Sequence, residues 1–273
     1  MFKHRVRKTA FSGALTTLEL IFHATVRSVR KTHNNAFMAL VVNMLQAAIM
    51  VAAFYVMVSL LNLRTSALRG DFLLYIMSGI FLYMSHVKAV GAVVGAEGPS
   101  SPMMQHAPLN TAITITGAAL GVLYVQVLSM LVILFVYHAA YKPITIYQPI
   151  PAFGMLLLSW FTGCAVGLVL TAIKPWFPTF VNIASTVYQR ANMIASGKMF
   201  LANTLPTFLL HTFNWNPLFH TIDQSRGFVF INYNPHFSNW QYAFWVGVAL
   251  SMLGLMGEFY TRRHASLSWG ARR

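Results

Sequence analysis

The chain has 273 residues, of which 57% are hydrophobic and 9% charged. Soluble domains carry about 25% charged residues, so the composition excludes an ordinary soluble domain and fits a polytopic membrane protein. The formal net charge is +14, but basic residues gather at the two ends, which suits topology and anionic lipid headgroups rather than nucleic acid.

Residues 1–35 read as a basic amphipathic segment. Phe11, Leu15, Leu18, Phe22, Val26 and Val29 recur at spacings of three and four, with Ser12, Glu19, His23, Arg27 and Arg30 opposite. This predicts a helix along the cytoplasmic interface, or one packing on a partner protein, and the two are compatible. Prolines then divide the chain. None precedes Pro99, and the rest cluster at 99–108, 143–151 and 175–178, with single residues at Pro206, Pro217 and Pro235. A membrane helix needs about 20 apolar residues. The runs between the prolines predict six spans, at residues 36–62, 72–96, 111–138, 153–173, 177–197 and 241–259. Residues 199–210 are apolar but too few to cross. Pairs of glycines four apart, Gly91/Gly95, Gly117/Gly121 and Gly163/Gly167, point to close helix packing.

Orientation follows the basic residues. Lys3, Arg5, Arg7, Lys8, Arg27, Arg30 and Lys31 precede the first span, and Arg262, Arg263, Arg272 and Arg273 lie in the tail at 260–273. Both termini are therefore expected in the cytoplasm, which requires an even number of spans.

Between the last two spans, "TFNWNPLFHTIDQSRGFVF" (212–230) breaks the apolar pattern. Its Asn-Pro pair disfavours helix at that point. The stretch is either an outside loop or backbone that dips into the membrane and turns back.

Chemical motifs are few. "SGKM" at 196–199 echoes a phosphate-binding loop, but Asn192 stands where the first glycine belongs and Met199 where Ser or Thr is needed. The ten histidines show no metal-ligand spacing, and five acids leave little for acid–base work. Cys164, the single cysteine, rules out an intramolecular disulfide and reads as a packing residue. His86 and His138 read as hydrogen-bonded side chains. What remains is cationic: Lys88 and Arg190 fall well inside predicted spans, where charge is costly. They either snorkel or bond to carbonyls, or they line a route for an anionic or polyhydroxylated substrate.

The order of features resembles a known family. After the fifth predicted span come Arg190, Ser196-Gly197, Leu205-Pro206, Asn216-Pro217-Leu218 and Arg226. Upstream, Ser78-Gly79 and "ELIFHATVRSVRKTHNNAF" (19–37) match more loosely. This pattern resembles the permease subunits of type-2 ABC transporters that export capsular polysaccharide or O-antigen. The segment "GAEGPSSPMMQHAPLN" (95–110) would be its cytoplasmic coupling loop. It departs from the family in lacking Lys and Arg and in carrying Asn110 where Asp is usual, which bears on which ATPase it fits.

The resemblance implies an all-α integral membrane protein with six transmembrane helices (36–259), an N-terminal amphipathic interface helix, and re-entrant helices between spans five and six at about 198–220. It implies a homodimer in the bacterial inner membrane that exports a polysaccharide. ATP and Mg would be held by a separate ATPase subunit, with no cofactor or catalytic residue in this chain. Periplasmic and outer-membrane export proteins and membrane lipids would be further partners. Pro206, Asn216 and Pro217 would mark the re-entrant turns. Lys88, Arg190, Phe213, Trp215 and Phe219 would line the substrate path, and Glu97, Met103, Gln105 and Asn110 would meet the ATPase. Two other functions stay open: a type-2 permease for a small amphiphile or haem, and a membrane-bound envelope glycosyl- or acyltransferase.

Overall fold

Helix starts follow local chemistry. Pro149, Pro178 and Pro217 each stand in a first helical turn, where the missing N–H loses no bond and the fixed φ suits the helix. Asp71, Asn110 and Asn216 stand just before helices and accept the backbone N–H two residues on.

The computed structural model describes residues 10–32, 35–60, 71–96 and 110–264. Among these it holds nine α-helices and no strand. They are α1 (Ala10–Thr32), α2 (Ala36–Leu60), α3 (Phe72–Val94), α4 (Thr111–Ala140), α5 (Pro149–Ile173), α6 (Pro178–Ala195), α7 (Thr207–Phe213), α8 (Pro217–Val229) and α9 (Trp240–His264). Glu97, Met103 and Gln105, three of the expected ATPase contacts, lie outside the described residues, as do 1–9 and 265–273.

Five of these helices, α2, α3, α4, α5 and α9, are long and apolar enough to cross a membrane. Residues 177–197, predicted as the fifth of six spans, do form a helix, α6. Its Asn182, Ser185, Thr186, Gln189, Arg190 and Asn192 keep it out of that apolar set.

Helices α3 and α5 form the centre of the molecule, and glycines set their distance. A Cβ at Gly163 would lie 2.4 Å from the His86 carbonyl oxygen, and one at Gly167 only 2.7 Å from Val93 Cβ. The two backbones therefore touch, as small residues permit between membrane helices. On the other side of α5, Gly247 and Gly254 of α9 receive Phe161 and Leu168. Hydroxyls fasten these seams. Ser159 donates to the Leu82 carbonyl at 2.8 Å, Thr171 to Val93 at 3.1 Å, and Thr261 to Ala172 at 2.9 Å. His86 is fully buried, with Nδ1 3.0 Å from the Ser159 carbonyl and Nε2 2.9 Å from the Tyr188 hydroxyl, which is the hydrogen-bonded role read from the sequence.

The Gly117/Gly121 pair of α4 receives Ala24, Thr25 and Ser28 of α1. Helix α1 thus presents its small side to the protein, and its large apolar residues Leu15, Leu18 and Phe22 stay exposed. An interface helix needs that division, with one edge on protein and bulky side chains free to enter lipid. The Gly91/Gly95 pair behaves differently. The nearest atom to a Cβ at Gly91 is Gln189 Nε2 at 3.7 Å, and Gly95 meets only its own helix. Among the described residues only the Gln189 side chain of α6 approaches this pair. It lines a cleft between α1, α2, α3 and α4.

Candidate functional site

The turn that ends α6 is the best-organised polar region of the molecule. The last carbonyls of any helix lack intrahelical partners and carry partial negative charge. Here Gly197 stops the helix in the left-handed region, at φ 74°. A Cβ there would also lie 2.8 Å from the Phe219 ring. Arg226, on α8, reaches into this turn and is fully buried. Its Nη1 donates to the carbonyls of Gly197 at 2.8 Å and Phe200 at 2.6 Å, and its Nη2 to that of Lys198 at 2.7 Å. The guanidinium lies 4.3 Å from the centre of the Tyr75 ring on α3. Gly79 makes room for this, because a Cβ there would lie 2.9 Å from Arg226 Nη2 and 3.0 Å from Lys198 Cα.

One helical turn earlier, Asp223 gathers the other strands of chain. It accepts from the Tyr233 hydroxyl at 2.5 Å, the Ser238 hydroxyl at 2.7 Å and the Ala202 N–H at 3.3 Å. Asn216 completes the tie. Its side chain caps α8 by accepting from Leu218 N at 3.1 Å and donates to Asn192 Oδ1 at 2.8 Å and to the Ala195 carbonyl at 3.1 Å. Residues 196–238 therefore fold as one block against α3. The sequence pieces Ser78-Gly79, Ser196-Gly197, Asn216-Pro217-Leu218 and Arg226 converge on it.

Lys198 sits inside the same block at 2% exposure. Its ammonium lies 3.5 Å from the centre of the Tyr83 ring and 5.1 Å from that of Phe54, and its Nζ has no hydrogen-bond partner among the described residues. Two aromatic faces take the place of a counter-ion. Burial pushes the Lys198 amine down to about 7 from the ordinary 10.5.

The expected path residues are dispersed. Pro206 and Pro217 do mark the starts of two short helices, α7 and α8. Trp215 is 82% exposed, and Phe213 stacks on Phe200 at 5.5 Å between ring centres. Phe219, expected to line an exit, is instead 1% exposed and packs on the Gly197 turn. The helical block also runs past the expected 198–220, to Val229. Lys88 does not snorkel. Its ammonium donates to Asn43 Oδ1, which also accepts from Gln126 at 3.0 Å, and Asn43 donates to Ser129 at 2.8 Å. Arg190 points out from α6 on the same exposed face as Asn182 and Thr186. Asn110 is exposed at the start of α4.

Asp223, Tyr233, Tyr75 and Lys198 escaped notice in the sequence. The signal for the first was its spacing of three from Arg226, after a proline that starts a helix. Lys198 was visible only as part of a failed phosphate-loop pattern. Comparison with protein-family models and with curated proteins gives no match to this chain.

Proposed function

We propose that this chain is the membrane subunit of a type-2 ABC exporter that carries a polysaccharide of the capsule or O-antigen type across the inner membrane, working as a homodimer with a separate ATPase. The observation that carries the reading is the outward face of α6. Asn182, Thr186 and Arg190 lie along it exposed, beside the block tied down by Arg226. At membrane depth an unpaired guanidinium costs about 2.5–3.5 kcal/mol on insertion scales, so such a face needs water or protein opposite it. Two copies facing each other across a hydrated path meet that need. In this reading α6 is the sixth crossing helix, both termini are cytoplasmic, and α7 and α8 are the re-entrant pair. Trp215 and Phe213 stand near its outer end, where aromatic faces stack on sugar C–H surfaces.

The test is Arg190→Ala against Arg190→Lys. Both are expected at normal membrane levels and as dimers. Export should be lost in the alanine variant and partly kept in the lysine variant, which retains charge but not the planar fork. An alanine variant that exports at the wild-type rate removes Arg190 from the path. One that disappears from the membrane assigns it a structural role instead.

A further inference from the structure

The cleft between α1, α2, α3 and α4 plays no part in the reading above. It encloses about 810 Å³, within the usual range for a ligand site. Three basic residues line it, His23, Arg27 and Lys88, together with the amides of Asn43, Gln46, Gln126 and Gln189. No Asp or Glu is among the described lining residues. The one carboxylate of α1, Glu19, lies 3.9 Å from His23 on the exposed side of the helix. The remaining wall is apolar, with Val42, Val122 and Val125 among its side chains. Among the described residues the site therefore offers positive charge, amide donors and hydrocarbon surface.

Geometry adds the depth. Lys88 is six residues before the end of α3, about 9 Å from it at the rise of an α-helix. Asn43 holds its ammonium in place through one hydrogen bond, and Gln126 and Ser129 fix Asn43 in turn. The outer wall is α1, whose exposed Leu15, Leu18 and Phe22 belong in lipid. A basic pocket between membrane helices with an interface helix as its rim matches a phosphate headgroup with acyl chains beneath it.

We infer that this cleft is a binding site for an anionic membrane phospholipid, whose phosphate meets Lys88 and Arg27 and whose chains run along Val42, Val122 and Val125. The lipid is a resident of the fold and fixes α1 against α2 and α4. The loosely packed glycines Gly91 and Gly95 serve this site by leaving the space open.

The full-length chain is reconstituted in phosphatidylcholine nanodiscs containing spin-labelled phosphatidylglycerol, and the motionally restricted fraction is measured against spin-labelled phosphatidylcholine. The wild type should restrict phosphatidylglycerol preferentially. Lys88→Gln should lower that preference about fivefold, the weight of one basic residue near anionic lipid. Gly91→Leu keeps every charge and fills the cleft, and its Cβ meets only Gln189 at 3.7 Å, so it should fold and lose the preference as well. A preference unchanged in both variants places the lipid at the basic termini and overturns the site. Displacement by inorganic phosphate overturns the lipid and leaves an ion site. A glycan-bearing amphiphile bound there in place of phospholipid overturns residence. The measurement uses neither ATP nor a partner subunit, so its outcome is independent of the export reading.

Discussion

Two arginines near the end of α6 are handled in opposite ways. Arg226 is fully buried and directs its guanidinium at three carbonyls and a ring, all within one chain. Arg190, seven residues before Gly197, stands exposed on the outer face of α6. Arg226 closes the fold and Arg190 leaves it open. In an apolar protein, polar groups divide along this line, and burial with several hydrogen-bond partners tells the two classes apart. Substitutions should respect the division.

Arg226→Ala should have the largest effect. It takes a donor from three turn carbonyls, of which Gly197 keeps only the Phe200 N–H at 3.3 Å, and leaves a void beside Tyr75. Removing one partner of a buried charged group costs about 3–5 kcal/mol. Thermal unfolding in detergent should show that loss, and Arg226→Lys should recover little of it, because a point charge cannot reach three carbonyls. If both variants unfold with the wild type, the turn is held by something else.

Lys198→Met should act in the other direction. A buried charge without a hydrogen-bond partner replaced by an apolar side chain of similar length is neutral to stabilising, by up to about 4 kcal/mol. The pH dependence gives an independent check. The folded amine loses its proton near 7 and the unfolded one near 10.5, so between those values the unfolded chain binds more protons. Wild-type stability should therefore rise with pH across that window and fall as the pH drops toward 7, and the methionine variant should lose the slope. A slope that survives in Lys198→Met belongs to another group.

Gly197→Ala comes next, at about 1–3 kcal/mol, the cost of a left-handed residue with a side chain. Phe219→Leu should recover part of it, since the added Cβ would collide with that ring. Arg190→Ala should be smallest, within about 0.5 kcal/mol of the wild type, as expected for an exposed side chain away from any cap or network. A large loss from Arg190→Ala would erase the contrast with Arg226.

Much of the helical layout was legible because proline and asparagine act locally. Pro149, Pro178 and Pro217 fix helix starts by what they do to their own backbone, and Asp71 and Asn110 by capping the next turn. The buried character of α8 was not legible. His220, Thr221, Asp223, Ser225 and Arg226 are polar, yet all are buried, and Asp223 and Arg226 find their partners elsewhere in the chain. Local pattern carries no record of Tyr233 or of the Gly197 carbonyl. The glycine pairs show the same limit. Gly91/Gly95 and Gly163/Gly167 are alike as sequence, but among the described residues only the second pair meets the backbone of another helix. Helix α6 shows it for hydropathy: its polar residues lower its mean alike, yet Asn182, Thr186 and Arg190 are exposed while Ser185 and Asn192 are buried.

The bonds of Arg226 also impose an order on synthesis. Its acceptors at Gly197, Lys198 and Phe200 are made first, and the donor follows 26 residues after the last of them. While the ribosome works through that interval, the end of α6 carries carbonyls that lipid cannot solvate. The nascent chain must keep this stretch hydrated, at the translocon or at the membrane surface, until α8 emerges. On the proposed topology, closure of the α6 turn is thereby a late step that waits for one side chain.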